Sequence, residues 1–253
     1  MTLIKKIYRI LPNKVRDKVR NLYYLKKFKS ASWDDEKDLS VLKYFIHPGN
    51  TVIDIGANFG LYTRFMAELT GAQGKVYSFE PVPDMFQTLQ YNVIQMGLTQ
   101  VNVVELAVSD KSGKATIHIP TYEDGSENYY EASLSISENK KGIEIQAIRL
   151  DEWNVSIENI HFIKMDVEGH EPQALAGARK LITTYSPPIM IEINDGFDAG
   201  SIGEKVRKQL MEWGYSMYYF DNNKIRASIG KENGVNYLFL TPSHLQTDEK
   251  ENF

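Results

Sequence analysis

Short apolar runs alternate with amphipathic segments through most of this 253-residue chain. Runs rich in β-branched residues predict buried strands at 51–55, 75–79, 101–106, 160–165 and 189–193. A helical period of apolar positions predicts helices from about residue 60, over 83–96, over 171–184 and over 202–213. This alternation is typical of a parallel sheet with helices on both faces.

Two alternating runs interrupt the pattern. They lie at 115–120 and 143–148 and predict an antiparallel pair with a long polar tip between 120 and 142. Runs at 215–220 and 235–240 follow each other without a helix, which predicts a last strand antiparallel beside its predecessor. The expected fold class is α/β, with an inserted β-hairpin and a helical N-terminal extension.

Positive charge is concentrated at the start of the chain. Residues 1–29 hold ten Lys and Arg and one acid, Asp17, so they carry about +9 and leave about −13 on the rest of a chain with net charge −4. Apolar residues three and four positions apart draw a stripe along this segment, at Ile4, Ile7, Leu11, Val15, Val19 and Leu22. Pro12 predicts a division into two helices.

Two interpretations of this basic segment stay open. Its apolar stripe docks on the main domain, or the segment contacts an anionic membrane or a phosphorylated substrate carrier. The acidic remainder of the chain argues against nucleic acid as a partner.

The patterns divide the chain into three parts. Residues 1–47 form the basic helical extension, in which Ser32 and Asp35 make a capping-box pattern that predicts a helix reaching Phe45. Residues 48–245 form the α/β domain, with the hairpin inserted at about 113–148, and residues 246–253 form a flexible tail.

Composition removes several classes of function. The chain has no cysteine, which excludes disulfides, thiolate metal sites and cysteine nucleophiles. No apolar run approaches the roughly 18 residues that span a bilayer, and residues 1–12 lack the features of a secretory signal. We therefore expect a cytoplasmic protein, which would lie at the inner face of the membrane if its basic segment binds lipid. The sequence indicates no oligomeric state.

The first strand of the sheet runs into a glycine-containing turn that opens a helix, TVIDIGANFG at 51–60. Backbone N–H groups in such a turn approach a ligand closely, beside the positive end of the helix. A nicotinamide-binding turn of the G-x-G-x-x-G type would carry further glycines where Asn58 and Leu61 stand. The tighter turn, which ends at Gly60, suits a ligand without a pyrophosphate, such as S-adenosylmethionine.

Other residues extend this predicted cofactor site. Glu80 ends the second strand, where an acid accepts ribose hydroxyls, and the strand-end acid Asp54 faces the amino acid moiety. Ala107 and Val108 fall where adenine would pack.

A cluster of ionisable residues follows the fourth parallel strand. Lys164 and Asp166 point to one face of that strand, and Asp166 lies at its carboxyl end, where doubly wound sheets hold their ligands. Glu168, His170 and Glu171 crowd the same turn, which is more usual in a functional site than in a structural loop. A structural turn in which Lys164 neutralises Asp166 is the alternative.

These segments resemble the FkbM family of S-adenosylmethionine-dependent methyltransferases. The matching pieces are DIGANFG at 54–60, FEP at 79–81, LDE at 150–152 and, most specifically, KMDVEGHE at 164–171. The resemblance implies a class I, Rossmann-like methyltransferase fold and O-methylation of hydroxyls on sugars, glycolipids or secondary metabolites.

The resemblance also implies roles for single residues. It assigns Asp54, Gly56, Asn58 and Gly60 to the cofactor and places Asp166 with Glu168 in the site. We add to the predicted cofactor-binding set the neighbours of these positions, namely Ala57, Tyr62, Thr63, Glu80, Pro81, Ala107 and Val108.

Methylation of an alcohol requires help with its proton. Because the pKa of an alcohol is near that of water, about 15.7, it needs a base or a metal ion. We predict Asp166 as the base or acceptor-orienting group, tuned by Lys164, with Glu168 second and His170 as the alternative base. A divalent metal is compatible with the oxygen ligands here, but nothing in their spacing demands one, and no metal site is predicted.

The acceptor is expected to be a hydroxylated small molecule or a glycan. Aromatic faces and carboxylates suit polyhydroxylated rings, and the candidates are Tyr122, Tyr129, Tyr130, Glu192 and Asn194. Tyrosines on an ordinary surface loop explain the same composition.

Two other functions stay open at this point. One is a nicotinamide-dependent sugar oxidoreductase, against which the missing glycines weigh. The other is a non-catalytic binding protein that keeps the fold, because fold alone does not establish activity.

Overall fold

Buried apolar strands form the centre of the molecule, which a computed structural model describes at residues 11–120, 133–135, 142–155, 157–232 and 236–245. The strands, in chain order, are β1 (Thr51–Ile55), β2 (Lys75–Phe79), β3 (Val101–Val104), β4 (Ala107–Val108), β5 (Gly113–His118), β6 (Ser133–Ser135), β7 (Ile143–Ile148), β8 (Phe162–Met165), β9 (Ile189–Glu192), β10 (Ser216–Asp221), β11 (Lys224–Ala227) and β12 (Asn236–Leu240).

The main sheet of the described residues has eight strands in the order β11-β10-β12-β9-β8-β1-β2-β3. Strands β9, β8, β1, β2 and β3 run parallel, and β12 runs antiparallel between β9 and β10. The prediction of an antiparallel last strand is confirmed. Strand β11 was not predicted; Asn222 and Asn223, with φ of 51° and 59°, make the tight turn that pairs it with β10.

Helices cover both faces of this sheet, as predicted. They are α1 (Asn13–Ser30), α2 (Leu42–Phe45), α3 (Leu61–Thr70), α4 (Pro83–Gln95), α5 (Glu171–Gly177), α6 (Arg179–Tyr185) and α7 (Ile202–Glu212). On one face Ile53 packs in a core with Leu175 of α5. On the other face Val52 packs in a core with Phe65 of α3. Alternate residues of one strand therefore bury into two different cores.

The inserted hairpin is part of a second, four-stranded sheet with the order β4-β7-β5-β6. The predicted antiparallel pair is confirmed, with Gly113 opposite Ala147 and Ile117 opposite Ile143. The predicted tip is not loop throughout, because β6 lies within it and pairs with β5. Strand β4, which follows the edge strand β3 in the chain, pairs parallel with β7 inside this small sheet.

Helix α1 docks on the domain, but not through the predicted apolar stripe. Val15, Val19 and Leu22 are exposed, so that interpretation is wrong for the described part of the stripe. The docked face carries Tyr24 and Phe28, which are larger and bury more apolar area than the valines. The helix begins directly after Pro12, as predicted; residues 1–10 lie outside the described residues.

The helix predicted from Ser32 to Phe45 is wrong over residues 33–38. Ser32 and Asp35 do make capping contacts, the Ser32 hydroxyl donating to Asp35 Oδ1 at 2.9 Å. The chain then forms turns, a 3-10 turn at Leu39–Val41 and the short α2. Trp33 packs against Phe65 with ring centroids 4.4 Å apart, which holds the segment against α3 instead of letting it continue as a helix.

The single helix predicted over 171–184 is two helices, α5 and α6, divided at Ala178. Gly177 lies so close to β4 that a Cβ atom there would be 1.8 Å from the backbone oxygen of Ser109. The helix ends where the two backbones meet, with Ala178 at φ −110° and ψ 8°. No helix in the described ranges has the length and apolar character needed to cross a bilayer.

Candidate active site

A cavity of about 330 Å³ lies at the carboxyl ends of β1, β2, β8 and β9. Most of the predicted site residues line it: Asp54, Gly56, Ala57, Asn58, Tyr62, Glu80, Pro81, Ala107, Val108, Lys164, Asp166, Glu168 and Glu192. They meet because parallel strands end at the same edge of the sheet. Gly60, Thr63, His170 and Asn194 do not line the cavity.

The turn after β1 forms one wall of the cavity. Gly56, Asn58 and Gly60 all have positive φ, at 82°, 51° and 99°, which folds the chain back sharply before α3. The N–H groups of Gly56 and Ala57 both donate to the Phe79 carbonyl at 3.0 Å. A Cβ atom on Gly56 would lie 1.7 Å from the backbone oxygen of Asp166, so glycine is required where β1 meets β8.

Glu80 is buried at the end of β2 and fixes this turn. One carboxylate oxygen accepts the Asn58 N–H at 2.8 Å, and the other accepts the Val82 N–H at 2.8 Å. Burial raises the pKa of Glu80 to about 7, against the opposing effect of these two hydrogen bonds. A carboxylate has about four acceptor positions, so positions remain for hydroxyl groups of a ligand.

Behind the turn, Asp54 belongs to a buried polar cluster. The Thr63 hydroxyl donates to Asp54 at 2.6 Å and lies 2.8 Å from the Ser78 hydroxyl. Burial raises the pKa of Asp54 to about 6. Thr63 thus contacts the acid from α3 and acts through Asp54, not on the cavity wall itself.

Lys164 and Asp166 meet beside this turn, at the end of β8. The Lys164 ammonium is buried, 3.5 Å from an Asp166 carboxylate oxygen and 4.9 Å from the centre of the Tyr62 ring. Asp166 keeps 29% of its side chain exposed, on the cavity side of this pair. Burial, with nearby carboxylates, raises the pKa of the Tyr62 hydroxyl well above its ordinary value. A buried cation therefore backs a carboxylate that reaches solvent.

Glu192, at the end of β9, completes a carboxylate pair with Asp166. Burial raises the pKa of Glu192 to about 7, and the Asp166 charge and a hydrogen bond with Asp166 add to the rise. Asn194 donates to Glu192 at 3.2 Å, so it orients this acid from outside the cavity wall. The neighbouring ends of β8 and β9 therefore bring two acids into contact at the cavity.

The rest of the 164–171 motif has a different surrounding. Glu168 lines the cavity in a left-handed conformation, with φ of 50°. His170 is buried, and its Nε2 lies 2.9 Å from the Ser109 hydroxyl. Burial lowers the pKa of His170 and raises the pKa of Glu171, which accepts the Gly169 N–H at 3.1 Å.

The comparisons with known proteins agree with this arrangement. Residues 54–217 match the family model of the methyltransferase FkbM domain. The chain belongs to the FkbM methyltransferase family. That family is one of S-adenosylmethionine-dependent methyltransferases, so the predicted family, class I fold and cofactor are confirmed, and the nicotinamide alternative is set aside.

Two curated relatives show how far the similarity extends. The chain is 30% identical over 151 residues to the 2-O-methyltransferase NoeI of Sinorhizobium fredii, over 54% of this chain and 60% of NoeI. It is 27% identical over 188 residues to the 31-O-demethyl-FK506 methyltransferase FkbM of Streptomyces tacrolimicus, over 64% of this chain and 71% of that protein. The match therefore spans less than two thirds of NoeI.

Among solved structures, methyltransferase FkbM from Methylobacillus flagellatus KT matches with a TM-score of 0.47 and 16% identity. The match covers 88% of this chain and 60% of that one.

The residues present fit the family's cofactor. The cavity is within the size range of small-molecule sites, about 300–1,000 Å³. Glu80 offers acceptor positions for the hydroxyls of a ribose. The flat adenine ring requires an apolar surface, and four apolar side chains line the same cavity, namely Leu106, Ala107, Val108 and Ile117. Leu106 lies between β3 and β4, Ala107 and Val108 form β4, and Ile117 belongs to β5, so the small sheet supplies part of the cavity.

Sequence analysis missed the contribution of the N-terminal extension. Glu36 lines the cavity, as does Asn236 at the start of β12. Asn236 donates to the Asp38 carboxylate at 3.2 Å, which ties the extension to the last strand. The two residues are 198 positions apart, and no local pattern marks such a contact.

Some predictions have no counterpart in the described structure. Tyr122, Tyr129 and Tyr130, predicted to hold the acceptor, lie outside the described residues. Within the described ranges, no group of three or more His, Asp or Glu side chains is arranged to hold a metal ion.

Glu80 offers a test of the cofactor site through stability. Its pKa is raised from 4.5 to about 7 in the fold, so its stabilising contribution is complete below about pH 4.5 and is lost as pH rises through about 7. We expect Glu80→Gln to remove on the order of 3 kcal/mol of this pH dependence. Chemical unfolding at several pH values measures it, with the exposed Glu212→Gln as the control. Parallel curves for wild type and Glu80→Gln would contradict the expectation.

Proposed function

We propose that the protein transfers the methyl group of S-adenosylmethionine to a hydroxyl of a sugar, a glycan or glycolipid, or a secondary metabolite. By name, one relative is a 2-O-methyltransferase and the other is a methyltransferase of 31-O-demethyl-FK506. The observation that carries the proposal for this chain is the Asp166–Glu192 carboxylate pair, backed by the buried Lys164. The pair lies beside the turn at residues 56–60, which we call the cofactor turn.

An alcohol needs such a group because it is a poor nucleophile while it keeps its proton. When bound, S-adenosylmethionine supplies an activated methyl group with a neutral thioether as its leaving group. Asp166, which reaches the cavity, accepts the proton of the acceptor hydroxyl. Lys164, 3.5 Å away, orients the Asp166 carboxylate through its positive charge.

The protonation state of Glu192 controls whether Asp166 can accept the proton. Protonated Glu192 donates a hydrogen bond to Asp166 and so occupies one of its acceptor positions. Once Glu192 ionises, this hydrogen bond is lost and the Asp166 carboxylate is open to the acceptor hydroxyl. Glu192 therefore tunes the proton acceptor and orients the acceptor hydroxyl from β9, together with Asn194.

The tuning predicts a pH profile. Because the pKa of Glu192 is about 7, we expect kcat to rise with pH through about 7 and then level off. Below that value, kcat falls by roughly tenfold per pH unit. Glu192→Gln removes this limb, since the amide does not titrate, and leaves a flat, lower profile. A limb near pH 7 that persists in Glu192→Gln would assign the titration to another group.

The proposed activity is tested with the purified protein and methyl-labelled S-adenosylmethionine. Hydroxylated acceptors of three kinds, a free sugar, a glycolipid and a polyketide-type alcohol, are each analysed by mass for the gain of one methyl group. Transfer to oxygen in one class supports the proposal. Cofactor binding with no transfer to any hydroxyl favours the non-catalytic alternative.

A further inference from the structure

Helix α1 has two faces of opposite character. Its buried face holds Arg20, Tyr24 and Phe28. Arg20 donates to Asp84 at 2.7 Å and Thr88 at 3.2 Å, both in α4, and the Tyr24 ring stacks on Phe59 with centroids 5.0 Å apart. These contacts fix the rotation of the helix and so determine which side chains face solvent.

The solvent face of α1 carries a stripe of large apolar side chains. Val15, Val19, Leu22 and Tyr23 are 42%, 43%, 51% and 55% exposed. At 100° per residue they fall within about 100° of arc on the side away from Tyr24. Covering this stripe would remove apolar surface from water, which the contacts of α1 with the domain do not do.

Basic residues surround this stripe. Lys14, Lys18, Lys26, Lys27 and Lys29 are exposed along the helix. Asp17, the acid of this helix, lies toward the buried side and pairs with Arg20 at 3.2 Å. We define the exposed face of α1 as the stripe Val15, Val19, Leu22 and Tyr23 with these five lysines.

We propose that the exposed face of α1 binds the surface of an anionic lipid bilayer. An amphipathic helix with an apolar stripe and lysine flanks lies in the plane of the headgroups, with its apolar side chains among the acyl chains. The lysines complement the negative lipid surface. The rest of the chain, at about −13, is repelled by that surface, so charge also orients the protein with α1 toward the lipid.

The position of α1 relates this surface to the cavity. Phe59, on which Tyr24 stacks, lines the cavity. One helix diameter, about 10 Å, therefore separates the lipid surface from the cofactor turn. The proposal does not depend on the proposed function, because vesicle binding is measured without methyl transfer.

Vesicle flotation of the full chain tests the apolar stripe. We expect wild type to float with phosphatidylglycerol-containing vesicles and not with pure phosphatidylcholine. Val19→Gln with Leu22→Gln reduces the partition coefficient at least about tenfold. Both side chains are exposed and glutamine suits a helix, so the circular dichroism and the melting temperature stay as in wild type. Met211→Gln, at a 58% exposed position on α7, is the matched control and binds like wild type.

The role of charge is tested by comparing two double variants in the same experiment. One is Lys18→Gln with Lys26→Gln on α1, and the control is Lys205→Gln with Lys208→Gln at exposed positions on α7. We expect only the two substitutions in α1 to weaken vesicle binding. Added salt weakens the vesicle binding of the wild-type protein. Equal binding to neutral and anionic vesicles, or unchanged binding of the stripe variant, overturns the proposal. So does absence of vesicle binding together with self-association that the stripe variant abolishes, because the face is then an interface between copies of this chain.

Discussion

Replacing Asp166 with Asn is expected to lower kcat by on the order of 100- to 10,000-fold, the range measured for removal of a general base. Asparagine keeps the size of the side chain but cannot take the proton of a hydroxyl. The backbone of Asp166 stays in place, since its N–H donates to the Ile55 carbonyl at 2.9 Å whatever the side chain. The dissociation constant for S-adenosylmethionine therefore changes little.

Two measurements separate chemistry from binding. Calorimetry with S-adenosylmethionine reports the cofactor site, and single-turnover methyl transfer reports the chemical step. Asp34→Asn, at an exposed position outside the cavity, controls for a change of charge. Wild-type turnover in Asp166→Asn would remove Asp166 from the chemistry.

His170 gives the contrasting expectation. The His170 ring forms a hydrogen bond with the Ser109 hydroxyl and does not line the cavity. Glutamine preserves a hydrogen bond to that hydroxyl, so we expect His170→Gln to keep kcat within about an order of magnitude of the wild-type value. A loss as large as that of Asp166→Asn would restore His170 as the base.

The cavity could largely be predicted because its chemistry follows strand ends. Four acids lie at the end of a parallel strand, or within one residue of it, and the apolar run of each strand is visible in the sequence: Asp54, Glu80, Asp166 and Glu192. Once the strands are placed in one parallel sheet, their carboxyl ends must meet at one edge. The sequence therefore predicts the meeting of these acids without any knowledge of their distances.

The parts that could not be predicted depend on long-range packing. In α1 the stripe at Val15, Val19 and Leu22 has clear periodicity, yet the domain binds the face of Tyr24 and Phe28. Periodicity locates an apolar face but does not say what covers it. The entry of Glu36 into the cavity likewise depends on the Asp38–Asn236 hydrogen bond and on Trp33 against Phe65.

The second large effect is expected at Gly56, where Gly56→Ala should destabilise the fold by about 4 kcal/mol or more, a loss that is exceptional for one substitution. An alanine Cβ would lie 1.7 Å from the Asp166 backbone oxygen, far closer than van der Waals contact allows. That oxygen belongs to the backbone where the paired strands β1 and β8 end, so it cannot turn aside as a side chain can. To relieve the clash, the end of β1 must move away from the end of β8. That movement also separates the cofactor turn from Asp166, so cofactor affinity falls together with stability.

Gly49→Ala is the matched control, since Gly49 has φ of 86°, close to the 82° of Gly56, but no heavy atom beyond its chain neighbours lies within 4 Å of its added Cβ. Its cost is that of the left-handed backbone alone, about 1–2 kcal/mol. Denaturant unfolding of both variants isolates the clash as the difference between them, and calorimetry with S-adenosylmethionine follows the turn. If the two variants lose equal stability, the close approach of β1 and β8 does not constrain this position. The requirement for glycine at the cofactor turn would then come from conformation alone.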